Sequence, residues 1–313
     1  MQQVVSLEAL SLDRPACVAI GAFDGVHRGH QALIGDMVRR AQATGRAAVV
    51  ITFYPHPSVF LRGRRPSFYL STPEAKADYL AALGVDALVT HTFDAAFAAI
   101  TADAYLAQLV RHARLSELWC GEDFALGHNR VGNVAYLRAA GARLGFTVTV
   151  QTPSLIDGEI ISSTRIRQCL RDGAVEQAAR ALGRPFRLTG TVVEGAKRGR
   201  TIGVPTANLA VSEEHAIPAT GVYVCHAYLA ASGGTDRTPA VTNIGYRPTF
   251  NSTEPKLTVE THLLDFAADL YGRALTLEFL ARLRPEMKFS GVDALVAQIR
   301  QDIAAARARL AAE

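Results

Sequence analysis

As far as Gly183 the chain alternates short apolar runs with helix-patterned stretches, and that rhythm stops at Gly183-Arg184-Pro185. Parallel strands need a crossover, usually a helix, so the rhythm predicts a parallel α/β sheet. Expected strands are Cys17–Gly21, Ala47–Phe53, Ala87–Thr92, Glu117–Gly121 and Phe146–Gln151. Expected helices between them are Gly29–Ala43, Pro73–Leu83, Ala102–His112 and Val134–Leu144. Thr72-Pro73-Glu74 supplies a cap, a proline at the first helical position and an acid in the first turn. Beyond Pro185 the helical period is lost. Strand-like stretches at Leu188–Val193, Tyr223–Leu229, Leu257–Leu263 and Leu275–Leu283 are separated by Gly, Pro and Asn clusters, and one amphipathic helix closes the chain from Val292 to about Ala311. The expected division is an α/β domain over 1–183 and an all-β domain with a C-terminal helix over 184–313.

A length of 313 residues agrees with two domains. The apolar share of 49% and charged share of 20% are those of an ordinary globular chain. The net charge of +4 is a modest excess, and the basic clusters Arg62–Arg65 and Lys197–Arg200 are short. The first reads as a solvated loop. No dense basic stripe with interleaved aromatics points to a nucleic acid partner. The 4 cysteines, Cys17, Cys120, Cys169 and Cys225, lie far apart without metal-ligand spacing and read as buried or half-buried thiols in a reducing compartment. Glu8, Asp13 and Arg14 interrupt the N-terminal apolar residues, and no apolar run approaches the roughly 20 residues that span a bilayer. A cytoplasmic protein without a membrane partner is expected.

Val18–His30 reads VAIGAFDGVHRGH. A buried strand ending at Gly21, a turn through Val26 and a helix starting near His27 present backbone N–H groups and a positive dipole end to phosphate. Gly21, Gly25 and Gly29 let the backbone come close. His27 and His30, three apart, share one side of the first turn, where imidazole N–H groups can donate to phosphate oxygens. The chemistry such a nucleotide-phosphate site would serve is attack on an α-phosphate with pyrophosphate leaving, the charge stabilised by positioned donors and Mg²⁺. The same residues also read as a plain strand-to-helix turn, or as half of a metal site without a third ligand at a fitting spacing.

In the second half, GAKRGRTIG at Gly195–Gly203 is a glycine-rich basic loop able to wrap phosphates, though not a Walker A sequence. VPTANL follows, with Thr206 and Asn208 as hard oxygen ligands suited to Mg²⁺, or as a proline-asparagine turn capping a strand. Along Lys256–Leu264, alternation puts Leu257, Val259, Thr261 and Leu263 on one face and Thr258, Glu260, His262 and Leu264 on the other. Tyr246, Phe250 and Phe289 are available to pack on a flat ring, or are core and turn packing. ISSTRIR at Ile161–Arg167 is, alone, a helix cap followed by basic residues, and TFYPHP at Thr52–Pro57 a strand end with a stiff turn.

Together these segments carry a resemblance. GAFDGVHRGH resembles the signature of the HxGH nucleotidyltransferase superfamily, in the form carried by the bacterial bifunctional riboflavin kinase/FAD synthetase family. TFYPHP, CGEDFALG at Cys120–Gly127 and ISSTRIR are similar to that family in the same order. The second half resembles the riboflavin kinase domain through GAKRGRTIG, VPTANL, NIGYRPTF, TVETHLLDFAADLYG and LRPEMKF. The resemblance implies a Rossmann-like FMN adenylyltransferase domain over 1–183 and a riboflavin kinase barrel with a C-terminal helix over 184–313. It implies riboflavin, FMN and FAD as ligands, ATP as co-substrate and Mg²⁺ as cofactor. In the first domain it implies catalytic roles for His27 and His30, nucleotide contacts at Gly21, Phe23, Asp24 and Gly29, a second phosphate clamp at Ser163, Thr164 and Arg167, and a flavin contact at Asp123. In the second it implies nucleotide contacts at Gly195, Lys197, Gly199 and Arg200, metal ligands at Thr206 and Asn208, and Glu260 as base toward the ribityl 5′-hydroxyl. One departure stands out: the family often has an Arg and an aromatic where this chain has Ala125 and Leu126, which bears on flavin affinity more than on reaction type. A chain with only one active domain, and a flavin-binding module without catalysis, are the alternative readings.

Overall fold

The apolar runs of the first half become the strands of one parallel sheet. A computed structural model describes the chain except residues 64–65, 196–198, 200–201, 230–236, 248–255 and 313, and the side chains of Arg247 and Lys256. Lys197, Arg200 and Phe250 therefore lie outside the described residues. The chain forms two compact units, one of Met1–Arg65 with Ser71–Ser163, the other of Pro66–Leu70 with Thr164–Glu313.

The first unit runs β1 (Gln2–Val4), β2 (Ala16–Ile20), α1 (Arg28–Ala43), β3 (Ala47–Tyr54), α2 (Pro57–Arg62), α3 (Pro73–Ala82), β4 (Ala87–Thr92), α4 (Ala95–Ala98), α5 (Ala102–His112), β5 (Leu115–Gly121), β6 (Ala125–Leu126), β7 (Gly132–Asn133), α6 (Val134–Leu144), β8 (Thr147–Gln151), β9 (Leu155–Ile156) and β10 (Glu159–Ile160). The sheet has the order β1-β4-β3-β2-β5-β8, and all its neighbours are parallel. Both faces are covered, which is why these strands are continuous apolar runs. Val18, Ile20, Val49 and Ile51 face Leu106, Leu109 and Leu137, whereas Cys17, Ala19, Ala48 and Val50 face Ile34, Met37 and Leu80. Thr72 caps α3 by accepting from the Ala75 N–H at 3.0 Å, as its sequence predicts. From β2 the order runs through β3 and β4 in one direction and resumes at β5 in the other. The carboxyl ends of β2 and β5 therefore flank the switch point where open α/β sheets bind ligands.

At the other end of this sheet, Glu117 is 5% exposed and accepts from Arg40 Nε at 3.0 Å and from Arg46 Nη1. Burial pushes its carboxyl up, but the two guanidinium groups outweigh burial and hold it below the ordinary glutamate range. A depressed folded pKa contributes stability above the unfolded value, near 4.3, that is lost as pH falls through the lower folded value. Glu117→Gln should therefore be less stable at neutral pH and lose less stability on acidification, read from urea midpoints across pH.

In the second unit, α7 (Ser163–Arg171) and α8 (Val175–Leu182) precede β11 (Phe186–Val193), β12 (Ala207–Ala210), β13 (Gly221–Leu229), β14 (Thr238–Arg247), β15 (Lys256–Leu263), β16 (Ala274–Arg284) and α9 (Val292–Leu310). Ser163, the first residue of α7, belongs to the first unit. The strands close a barrel in the order β11-β12-β15-β14-β13-β16. Phe186, Leu188 and Val192 alternate inward on β11, and Val259, Thr261 and Leu263 are the buried set of β15. Helix α9 packs on β13, β14 and β16, with Ala306 against Val224 and Ala281. Arg284 joins α9 through Asp302, donating from Nε at 3.0 Å and Nη2 at 2.8 Å. All four cysteines are free and buried. Among the described residues no helix is long and apolar enough to cross a membrane.

Candidate active sites

In the first unit the loop after β2 makes a tight turn in which Phe23 (φ 46°), Gly25 (φ 79°) and Val26 (φ 39°) all take left-handed backbone. A Cβ on Gly21 would stand 2.9 Å from the tip of the Phe23 ring, so any side chain there would force the ring to shift. The turn delivers the chain to α1. His27 is the N-cap of that helix: its Nδ1 accepts from the His30 N–H at 3.3 Å. That bond leaves the proton of a neutral His27 on Nε2 and so makes Nε2 a donor. The His30 ring stacks on His27 with centroids 3.6 Å apart and meets the Phe23 ring edge-on at 5.1 Å. Burial, reinforced by His27 and Lys76, holds His30 well below the ordinary imidazole range. Its Nδ1 is buried with no hydrogen-bond partner among the described residues.

The turn is fastened from several elements. Ser163 Oγ donates to the Asp24 carbonyl at 2.9 Å, the Gly25 N–H donates to Ser71 Oγ at 3.2 Å, and Thr52, from the TFYPHP segment, donates from Oγ1 to the Ala22 carbonyl at 2.9 Å. Lys76 also donates to that carbonyl, at 2.8 Å. The structure thus brings Gly21, Phe23, Asp24, His27, Gly29, His30 and Ser163 together. Asp123 lies just beyond the carboxyl end of β5, exposed, and its carbonyl accepts from Arg130 Nη2 at 2.8 Å. Further along α7, Thr164 is exposed. Arg167 is 9% exposed; its Nε donates to the Phe68 carbonyl at 2.6 Å and its guanidinium lies 3.9 Å from the centre of the Phe68 ring. Sequence reasoning missed Lys76 and Ser71. A single lysine in a helix and a serine ahead of it carry no motif.

The barrel holds the second constellation. Strand register sets Asn208 of β12 directly opposite Glu260 of β15, and Glu260 directly opposite Asn243 of β14. Directly paired residues share a face, so the three form a polar row. Glu260, Asn243, Thr206 and Gly199 line a cavity of about 370 Å³, walled on another side by Phe289 and by Leu295 and Ile299 of α9. That is within the usual size of small-molecule pockets. His262 Nδ1 makes a 2.7 Å hydrogen bond to the Pro205 carbonyl, which ties the start of the PTAN segment to β15. Tyr246 is exposed.

Glycine is required twice where the loop meets this segment. A Cβ on Gly195 would stand 2.7 Å from Asn208 Oδ1 and still closer to Nδ2, and one on Gly199 would meet the Val204 carbonyl and lie 3.3 Å from Thr206 Oγ1. The two glycines bring loop backbone against Asn208 and Thr206. Among the described residues no group of three or more His, Cys, Asp or Glu side chains is arranged to hold a metal ion.

Comparison with known proteins decides the family. The FAD synthetase family model matches residues 10–165, and the riboflavin kinase model matches residues 182–310. A bifunctional riboflavin kinase/FMN adenylyltransferase of Pseudomonas fluorescens is 38% identical over 98% of this chain and 97% of its own length. The chain belongs to the bifunctional riboflavin kinase/FMN adenylyltransferase family. Another member, from Escherichia coli K12, is 40% identical over 93% of this chain and 92% of its own. A crystal structure described as a macrolide-efflux protein from Streptococcus pneumoniae shares the fold, with a TM-score of 0.88 and 30% identity over 97% of this chain and 98% of that one.

Within this chain, the FAD synthetase match contains the His27 turn, Ser163 and Thr164, and the riboflavin kinase match contains Gly195 through Glu260. The departure at Ala125 and Leu126 forms β6, paired with β7. Leu126 belongs to the buried core with Ala102 and Leu106.

For this chain, Gly195→Ala should lower FMN formation by about 100-fold, since displacing a positioning group by roughly 1 Å has that effect. FAD formation from supplied FMN should be unchanged. Separate assays of the two products check this.

Proposed function

We propose that this chain makes FMN in its barrel unit and FAD in its α/β unit, with residues 184–313 acting as riboflavin kinase and residues 1–183 as FMN adenylyltransferase. Helix α7 is assigned to the adenylyltransferase because Ser163, its first residue, holds the Asp24 turn. The observation that carries the kinase reading is the Asn208–Glu260–Asn243 row, whose Glu260 and Asn243 line the cavity. There Glu260 takes the proton of the riboflavin 5′-hydroxyl as that oxygen attacks the γ-phosphorus of ATP, and ADP leaves. The loop from Gly195 to Gly203 covers the phosphates. Lys197 and Arg200 are proposed to add positive charge to it.

Thr206 and Asn208 fit Mg²⁺ as hard neutral oxygen donors, one exposed and one against the Gly195 backbone. Mg²⁺ bound there would neutralise phosphate charge.

In the α/β unit a phosphate oxygen of FMN attacks the α-phosphorus of ATP, and pyrophosphate leaves without a covalent enzyme intermediate. His27 Nε2–H and the ring N–H of neutral His30 donate to phosphate oxygens as charge builds. The N–H groups of Gly29 and its neighbours at the start of α1 do the same. Thr164 and Arg167 are proposed to serve the β- and γ-phosphates, and Asp123 to contact the flavin. ATP use and four buried thiols support a cytoplasmic location.

The test is product analysis by chromatography. Riboflavin, ATP and Mg²⁺ should yield FMN and ADP; FMN, ATP and Mg²⁺ should yield FAD and pyrophosphate. A second mixture that yields neither FAD nor pyrophosphate would remove the adenylyltransferase half.

A further inference from the structure

The α/β unit buries an ammonium group against its phosphate turn. Lys76, on α3, is 6% exposed. Its Nζ donates to the Ala22 carbonyl at 2.8 Å and to Thr52 Oγ1 at 3.2 Å. Lysine is almost never this buried without a partner, because an ammonium loses strong hydration on leaving water. Burial accordingly lowers the Lys76 pKa, and the nearby Asp24 carboxylate opposes that shift. Asp24 is itself 2% exposed. A helix needs no such residue for its own stability: α3 already packs through Ala77 and Leu80.

The turn above it does need support. Val26 is β-branched and sits at φ 39°, next to Gly25 at φ 79° and three residues after Phe23 at φ 46°. A branched residue in left-handed backbone is strained and persists only where its surroundings hold it. The Ala22 carbonyl, at the entrance to that turn, accepts from both Lys76 and Thr52. Lys76 also places positive charge beside His30, at the site read as taking nucleotide phosphates.

We propose that Lys76 is a positioning residue for adenylyl transfer: through the Ala22 carbonyl it holds the Ala22–Val26 turn in the form that aims His27, His30 and the first N–H groups of α1 at the phosphates. The inference rests on the adenylyltransferase reading of this site.

The full-length chain supplies its own control, since FMN formation takes place in the other unit. In Lys76→Met the kcat of FAD formation should fall by about 100-fold, the effect of a roughly 1 Å misplacement, while FMN formation stays within about twofold. Hydrogen exchange without substrate reads the turn directly. The Gly25 and Val26 amides, bonded to Ser71 Oγ at 3.2 Å and the Phe23 carbonyl at 3.1 Å, should exchange faster in the variant. FAD formation within about threefold of wild type, or unchanged protection at Gly25 and Val26, overturns the proposal. If Lys76→Met loses both activities together, the exchange rates decide, because they read the turn without either reaction. Faster exchange confined to the Gly25 and Val26 amides supports the proposal, and exchange accelerated alike across β2, β3 and α3 overturns it. A wild-type chain that makes FMN but no FAD would defeat the adenylyltransferase reading instead, and the exchange rates would still decide whether Lys76 holds the turn.

Discussion

Replacing Glu260 with glutamine should lower FMN formation by about 10²- to 10⁴-fold, the usual contribution of a positioned general base. FAD formation from supplied FMN should not change. The loss should appear in kcat rather than in KM for riboflavin, since glutamine keeps the shape and the Thr258 contact at 3.4 Å but cannot accept the proton as a carboxylate does. Nor should the barrel unfold. Glu260 is half-buried at the cavity wall, whereas its strand is anchored by Val259, Thr261 and Leu263, all nearly inaccessible. Steady-state rates for both products, with an unfolding midpoint on the same sample, measure all three statements. Equal losses of FMN and FAD formation would mean the substitution acts through the fold and not as removal of a base.

The same strand shows what was legible in the sequence. Alternation along β15 assigned its faces because a strand has a period of two and one face is sealed in the barrel. Leu264 is the exception: it was grouped with Glu260 yet is 3% exposed, because it follows the end of the strand, where the period no longer applies. Two barrel strands escaped the reading. In β14, Pro239, Asn243 and Gly245 look like turn residues, and their places in the ladder are decided by β13 and β15 on either side. In β12 the strand is only Ala207–Ala210, two residues after the PTAN proline. At residues 163–183 the sequence runs on as an α/β chain, whereas α7 and α8 pack with the barrel unit apart from Ser163. Such packing depends on contacts distant in sequence, which local periodicity does not register.

The candidate sites divide the same way. His27, His30, Glu260, Thr206 and Asn208 stand in dense motifs, where residue type and spacing already restrict the chemistry. Lys76 and Ser71 act by reaching a turn about fifty residues earlier in the chain, and a helix reading TPEAKADYL looks like any solvated helix. The tautomer of His27 was also beyond the sequence, since it follows from a cap bond to the backbone of His30.

That cap bond separates two roles of His27 in one experiment. His27→Ala removes the acceptor at the N-cap of α1, which destabilises by about 1 kcal/mol, and removes the Nε2 donor, which should lower the kcat of FAD formation by about 10²- to 10³-fold. His27→Asn divides these effects. Asparagine is among the best N-cap residues and can accept from the same His30 N–H, the third position of the helix, so stability should return close to wild type. Its amide is too short to present a donor where the imidazole Nε2 lies, so FAD formation should stay as low as in the alanine variant. FMN formation serves as the reference in both. If H27N recovers FAD formation together with stability, His27 is a helix cap alone, and the donors that carry adenylyl transfer are reduced to His30 and the backbone at the start of α1.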